Sequence, residues 1–191
     1  MTTAVRHLSS VLLFILLLAG CASTPQILPV IPQIDATGMS ARGAGRTIAI
    51  EVVDARGGTL VGYRDPTRTE SAISTAPELL SNMQSALEAG YGKLDFTIVP
   101  VGAAADIALE VRLTELGYRR AEGGVVRELK TGATVEATSV MREKTVTAIY
   151  RDGQGKDTVL PPSLSANAEI LNRHLNGALS KLVADPRLTT E

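Results

Sequence analysis

The sequence is poor in the residue types on which most catalytic and nucleic-acid-binding sites depend. It has one cysteine, no tryptophan and two histidines among 191 residues, and aromatic residues make up only 3%. A single cysteine excludes an internal disulfide framework, and so few aromatics provide no stacking platform for bases. Lysine and arginine number 19 and aspartate and glutamate 20, so the net charge of −1 lacks the basic excess of a nucleic-acid-binding protein. We predict no nucleic-acid partner, no metal and no cofactor, while 45% hydrophobic residues predict a folded domain.

The first 20 residues have the pattern of a secretory signal peptide. Arg6 and His7 precede an apolar run over residues 11–19, which is about half the length that crosses a bilayer. The only cysteine follows directly, in Leu18-Ala19-Gly20-Cys21. This arrangement resembles the lipobox of bacterial lipoproteins, which implies cleavage before Cys21 and a diacylglycerol on its sulfur. The alternatives are an ordinary signal peptide that contains a cysteine, or an uncleaved anchor.

The lipobox resemblance also implies a location. Two or more acyl chains hold a protein stably on a bilayer, whereas a single chain binds only marginally. In bacterial lipoproteins an aspartate after the lipidated cysteine favours retention in the inner membrane, and here Ala22 stands in that place. The resemblance therefore implies the outer membrane, with the protein lipid-anchored and its domain facing the periplasm.

Downstream of the signal peptide the sequence predicts a tether and one domain. Residues 21–45 are expected to be the lipidated cysteine and its tether, because prolines and glycines interrupt regular structure there. The apolar residues between Ile27 and Ile34 leave open that this stretch docks on the domain in extended form. Residues 46–186 are expected to form a single periplasmic α+β domain, and residues 187–191 a tail.

The hydrophobic patterns of residues 46–186 predict the order strand, helix, strands, helix. A strand is expected over Thr47–Asp54, and Thr75 to Glu78 matches a capping box that opens a helix. Strict alternation from Ile107 to Leu113 predicts a long strand with a bulge near Thr114-Glu115. Further strands are expected over residues 94–101, 134–141 and 146–152, and a last helix, capped by Ser163 or Ser165, before Pro186. We predict an α+β two-layer sandwich, in which a mostly antiparallel curved sheet carries both helices on one face.

Residues suited to catalysis are isolated from one another in the sequence. His174 is the only histidine after the signal peptide, and we interpret it as a surface or boundary residue. The segment from Asp54 to Arg64 is the one candidate binding loop, with Asp54, Arg56 and Arg64 as its candidate residues. In the alternative interpretation Asp54 accepts backbone N–H groups, Arg56 pairs with a carboxylate and the glycines form the turn. We predict no catalytic residues and no enzyme.

Together these features resemble the YajG family of uncharacterised bacterial lipoproteins. The resemblance rests on the lipobox, on a first strand that ends in Asp54-Ala55-Arg56, and on the segment Leu60-Val61-Gly62-Tyr63-Arg64. It implies an envelope location and the α+β fold, but no reaction.

Three functional hypotheses follow from the sequence. The first is a non-catalytic binding or accessory protein of the outer-membrane and periplasmic envelope, whose partners are the membrane, through its lipid, and another envelope protein. The alternative is a periplasmic module that binds a lipid or a cell-wall fragment, which an apolar cavity between helices and sheet would favour. An enzyme would need a buried polar cluster around Asp54, Arg56 and His174.

Overall fold

The computed structural model describes residues 24–142 and 144–190, so the predicted signal peptide and Cys21 lie outside the described residues. Within these described residues, two α-helices and eight strands are assigned. The helices are α1 (Leu79–Gly92) and α2 (Leu164–Ala184). The strands are β1 (Gln26–Leu28), β2 (Thr47–Asp54), β3 (Leu60–Tyr63), β4 (Ala72–Thr75), β5 (Thr97–Val99), β6 (Ile107–Arg120), β7 (Arg127–Met141) and β8 (Lys144–Thr158).

All eight strands belong to one sheet built around the long strand β6. One edge of β6 pairs in parallel with β2 and, further along, with β3, while its other edge pairs with β7 in antiparallel fashion. Strand β8 extends the sheet beyond β7, β5 lies beyond β2, and β4 and β1 lie beyond β3. The two longest ladders, β6–β7 and β7–β8, are antiparallel, so most residue pairs in the sheet are antiparallel pairs.

Both helices cover the same face of this sheet, so the predicted α+β sandwich is confirmed. Helix α1 packs on β2 and β5, α2 packs on β7 and β8, and the two helices contact each other. The core between the layers is a single apolar cluster to which Ile48, Leu109, Val135, Leu87 and Leu175 all belong. The bulge predicted near Thr114-Glu115 is present as a register shift between Leu113 and Glu115, which moves the buried positions of β6 from odd to even numbers.

The segment expected to be a tether is part of this sandwich from Gln26 onward. Strand β1 pairs in parallel with β4, and Leu28, Val30 and Ile34 are buried in the common core. The backbone N–H groups of Ile31 and Gln33 donate to asparagine side chains of α2. The folded unit therefore begins upstream of the expected boundary at residue 46, because alternate apolar side chains of this stretch are buried in the core.

The expected tail is also packed against the domain. Leu188 and Thr189 are buried, and the Leu188 carbonyl accepts a hydrogen bond of 2.6 Å from the Ser139 hydroxyl of β7. The folded unit thus continues to Thr190, because a short 3₁₀ helix over Pro186–Leu188 turns the chain back onto the core.

The predicted caps and bounds of single elements were less accurate than the predicted fold. Thr75 does not cap α1: it lies in β4, opposite Leu28, and Glu78 is the N-cap residue. Ser163 does cap α2, since its hydroxyl accepts from the Ala166 N–H at 3.3 Å. Strand β5 is shorter than expected, whereas β7 begins earlier and β8 continues further, to Thr158.

Among the helices of the described residues, none combines the length and the apolar character that a bilayer-crossing segment needs.

Candidate functional site

Asp54 and Arg56, the first two candidate residues, form a closed ion pair at the end of β2. The Arg56 Nη2 lies 2.7 Å from Asp54 Oδ2, and Nε donates to Oδ1 at 2.9 Å. Oδ1 also accepts the Arg56 backbone N–H at 3.0 Å, so one carboxylate holds the whole turn. These hydrogen bonds from Arg56 lower the pKa of Asp54 below its ordinary value despite its partial burial.

Arg64, the third candidate residue, lies at the opposite end of β3. Its Nη2 donates to the Thr24 carbonyl at 2.9 Å, and its backbone N–H bonds to the Ser71 carbonyl. Arg56 instead reaches toward the Thr75 hydroxyl, at 3.5 Å. The intervening strand thus keeps Arg64 away from the Asp54–Arg56 pair. Asp54 thus accepts a backbone N–H and Arg56 pairs with a carboxylate, as in the alternative interpretation of this segment, while Arg64 binds a different part of the chain.

The face of the sheet that carries no helix contains a shallow apolar hollow of about 370 Å³. Ala49 and Ala108 form its floor, and Val101 and Val140 form its sides. Both valines are exposed. Glu51 and Glu110 are direct neighbours across the β2–β6 ladder and border the hollow. Glu110 also pairs with the Arg112 guanidinium at 3.4 Å, on the side away from Ala108. The arrangement presents an apolar depression with a net negative border, which suits a binding partner with an apolar group and a positive charge.

A chain of polar side chains, buried at Thr131 and His174, joins α2 to the sheet and was not predicted. His174 is only 2% exposed, so its interpretation as a surface or boundary residue was wrong. Its Nε2 lies 3.0 Å from the Thr131 hydroxyl, and its Nδ1 lies 2.8 Å from Asp152 Oδ2. Lys181 Nζ donates to Asp152 Oδ1 at 2.8 Å. Burial raises the pKa of Asp152, but the hydrogen bonds from Lys181 and His174 outweigh that effect and lower it overall.

This chain has the order of groups found in acyl-transfer triads, hydroxyl, imidazole and carboxylate. The hydrogen bond between Thr131 and His174 is itself buried beneath α2, however, so the hydroxyl is not presented to a substrate. Nor does the structure bring Asp54 or Arg56 to His174. The arrangement instead anchors the helix to β7 and β8.

One sequence signal could have revealed this cluster. His174 and Lys181 are seven residues apart and therefore share one face of a helix, with Gly177 between them. A Cβ atom at Gly177 would lie 2.7 Å from the Asp152 carboxyl carbon, so glycine is needed for the close approach of helix and strand. Asp152 was predicted as the end of a strand, but the sequence did not place that strand end opposite this helix face. Within residues 24–142 and 144–190, no three acidic, histidine or cysteine side chains are grouped as a metal site requires.

Residues 32–191 match the model of the family Lipoprotein_16, described as "Uncharacterized lipoprotein", and the chain belongs to this family. A search of curated proteins found no match. The structure is similar to that of protein XCC0632 from Xanthomonas campestris, of the family DUF330, with a TM-score of 0.55 and 12% identity over 84% of this chain and 93% of that one. It is also similar to an uncharacterized protein, with a TM-score of 0.53 and 9% identity over 84% and 97% of the two chains. At these identities the two structures support the fold alone.

Proposed function

We propose that the protein is a lipid-anchored, non-catalytic binding component of the outer membrane, of the YajG type, whose domain faces the periplasm. Membership of a lipoprotein family supports an anchor, and Cys21 is the only cysteine that could carry it. The residue after it, Ala22, is not the aspartate associated with retention in the inner membrane.

The observation that carries the binding role is the hollow on the helix-free face of the sheet. It combines exposed Val101 and Val140 with the carboxylates of Glu51 and Glu110, and strand β6 beneath it pairs with β2 on one edge and β7 on the other. A rigid, partly apolar surface of this kind suits another protein of the envelope better than a small ligand, because the hollow is shallow. The space between helices and sheet, where a lipid-binding module would hold its ligand, is occupied by the apolar core.

The anchor is tested by replacing its cysteine. We expect Cys21→Ser to abolish incorporation of labelled fatty acid and to leave the signal peptide uncleaved, because the thioether has no sulfur on which to form. Ala22→Asp is the matched variant for sorting: it should keep the label but move the protein to the inner-membrane fraction. Label that persists in Cys21→Ser would contradict the lipoprotein anchor.

The binding surface is tested by crosslinking in intact cells. A photo-crosslinking amino acid at Val140 on the hollow should capture one defined protein, and the same residue at Glu169, exposed on α2, should not. Glu110→Arg should reduce the capture several-fold without lowering the thermal midpoint, since it reverses the charge beside the hollow. Equal capture from Val140 and Glu169, or capture unchanged by Glu110→Arg, would contradict this surface.

A further inference from the structure

One end of the molecule carries exposed apolar side chains on two neighbouring segments. The turn between β6 and β7 presents Val125 and Val126, which follow two glycines in the left-handed conformation. The segment after β8 presents Val159 and Leu160, and Leu164 follows at the start of α2. We call these five residues the anchor-end surface. Turns of this kind normally carry polar residues, so five exposed apolar side chains require an explanation.

The register of the sheet places the two segments side by side. Arg127, the first residue of β7, pairs with Thr158, the last residue of β8. Val126 and Val159 therefore leave the same end of the ladder as neighbours. Arg120, at the end of β6, donates from Nη2 to the Val159 carbonyl at 2.9 Å and fixes the second segment there.

The start of the described chain lies at this same end. Strand β3 runs parallel to β6 with Gly62 opposite Tyr118, so Arg64 comes level with Arg120. Arg64 binds the carbonyl of Thr24, as Arg120 binds that of Val159. A second link is Asn167, whose Nδ2 donates to Gln26 Oε1 at 2.9 Å and to the Pro162 carbonyl at 3.4 Å.

Only two residues separate Thr24 from Cys21 in the sequence. A fully extended chain covers about 3.3–3.6 Å per residue, so the lipidated cysteine could lie no more than about 11 Å from Thr24. A gap of that size is too small for a folded partner, which would be on the order of 30 Å across. The anchor would therefore bring this end of the domain to the headgroup layer of the bilayer.

We propose that the anchor-end surface docks on the phospholipid bilayer itself, with Val125, Val126, Val159 and Leu160 entering the interface beside the lipidated Cys21. This inference rests on the proposed lipid anchor. The anchor holds the surface at a high effective concentration near the bilayer, so a small apolar patch is sufficient for docking. Arg119 and Lys130, direct neighbours across the β6–β7 ladder at the same end, supply positive charge for lipid phosphates. Lys130 also pairs with the Glu128 carboxylate at 3.4 Å, so the net positive charge of this group comes from Arg119.

The experiment uses the full chain, lipidated in cells and reconstituted into vesicles of phosphatidylethanolamine and phosphatidylglycerol with brominated acyl chains. Lipidation consumes the only native thiol, so an introduced cysteine can be labelled alone with an environment-sensitive fluorophore. Val126→Cys and Val101→Cys are a matched pair, because both valines are 58% exposed and only Val126 belongs to the anchor-end surface. We expect the brominated lipids to quench the probe at position 126 several-fold more strongly than the probe at position 101.

Mass measurement of Cys21 in the same sample separates the two proposals. An unmodified Cys21 contradicts the proposed anchor. A lipidated Cys21 with equal, weak quenching at both positions contradicts the docking surface and leaves the anchor standing. The fluorescence at position 126 could instead change with protein concentration, with no change at high dilution in lipid. That result would assign the surface to a second copy of the chain and would likewise overturn docking on lipid.

Discussion

The structure links the ionisation of Asp185 to the stability of the folded state. Its carboxylate accepts hydrogen bonds from the Arg187 backbone and guanidinium and from the Tyr150 hydroxyl at 2.7 Å. The Arg187 hydrogen bond, opposed by burial and assisted by Tyr150, lowers the pKa of Asp185 from 3.8 to about 2. Because the pKa is lower in the folded state, the stabilisation is complete above about pH 4 and is lost as the pH falls toward 2.

We therefore predict that Asp185→Asn lowers the free energy of unfolding by roughly 2 kcal/mol at pH 7. The difference from the unmodified protein should shrink as the pH falls from 4 to 2, which denaturant titrations at several pH values would measure. Glu169→Gln, on the exposed face of α2, is the control and should change little at any pH. A difference for Asp185→Asn that stays constant from pH 7 to pH 2 would show that ionisation of Asp185 is not involved.

Gly62 occupies a position that no other residue can fill without moving the backbone. Its φ is 157°, and a Cβ atom there would lie 1.7 Å from the Tyr118 carbonyl oxygen. We expect Gly62→Ala to lower the free energy of unfolding by about 2 kcal/mol or more, since β3 would have to separate from β6. Gly58→Ala is the matched control, because nothing lies within 4 Å of a Cβ at that position. Equal denaturation midpoints for the two variants would show that β3 does not approach β6 so closely.

At the scale of the elements, the long strand β6 provides the sharpest test of register. Leu109 is buried in the core, whereas Glu110 lies on the helix-free face. Leu109→Ala should lower the free energy of unfolding by about 2–5 kcal/mol, through lost burial and the cavity left behind. Glu110→Ala should change it by less than about 0.5 kcal/mol. Urea titration distinguishes the two results, and their exchange would mean that the strand is shifted by one residue.

Strand β6 also shows which elements can be predicted from sequence. Its alternation is strict because one face is buried and the other exposed, and the phase change at the bulge is visible in the residues themselves. Strands β1, β3 and β4 are three or four residues long and therefore contain too few positions for a period to emerge. Thr75 shows how a local motif fails: its spacing to Glu78 fits a capping box, but pairing of β4 with β1 determines its actual place.

The candidate site was less predictable than the elements, for a related reason. Asp54 and Arg56 are two residues apart in the sequence, so their structural interpretation as an ion pair at the end of a strand could be stated from the sequence. The cluster of Thr131, Asp152 and His174 joins residues from β7, β8 and α2, and only the sheet register brings them together. The hollow on the helix-free face depends in the same way on strands that are distant in sequence.

At the scale of the whole molecule, the main revision concerns where the folded unit begins. Prolines and glycines made residues 22–45 look like a tether, yet Pro29 and Pro32 stand between residues whose side chains enter the core. Each proline lacks a backbone N–H that would need a partner, and asparagine side chains of α2 accept the N–H groups of Ile31 and Gln33. Cys21, the proposed lipidation site, is thereby only a few residues away in sequence from the folded unit, which begins at Gln26.

This placement predicts that a chain beginning at Arg46 does not fold cooperatively, whereas a chain beginning at Thr24 does. The shorter chain lacks Leu28, Val30 and Ile34, and burial of each such side chain contributes about 1.5–3 kcal/mol. Their sum is comparable with the whole stability of a typical domain, about 5–15 kcal/mol. Urea titration followed by circular dichroism should give a sharp transition only for the longer chain.

Within the longer chain, Leu28→Ala should lower the midpoint and Ile27→Ala should not, because Leu28 is fully buried and Ile27 is 65% exposed. A cooperative transition for the chain that begins at Arg46 would restore the boundary expected from the sequence and would separate the anchor from the domain by a true tether.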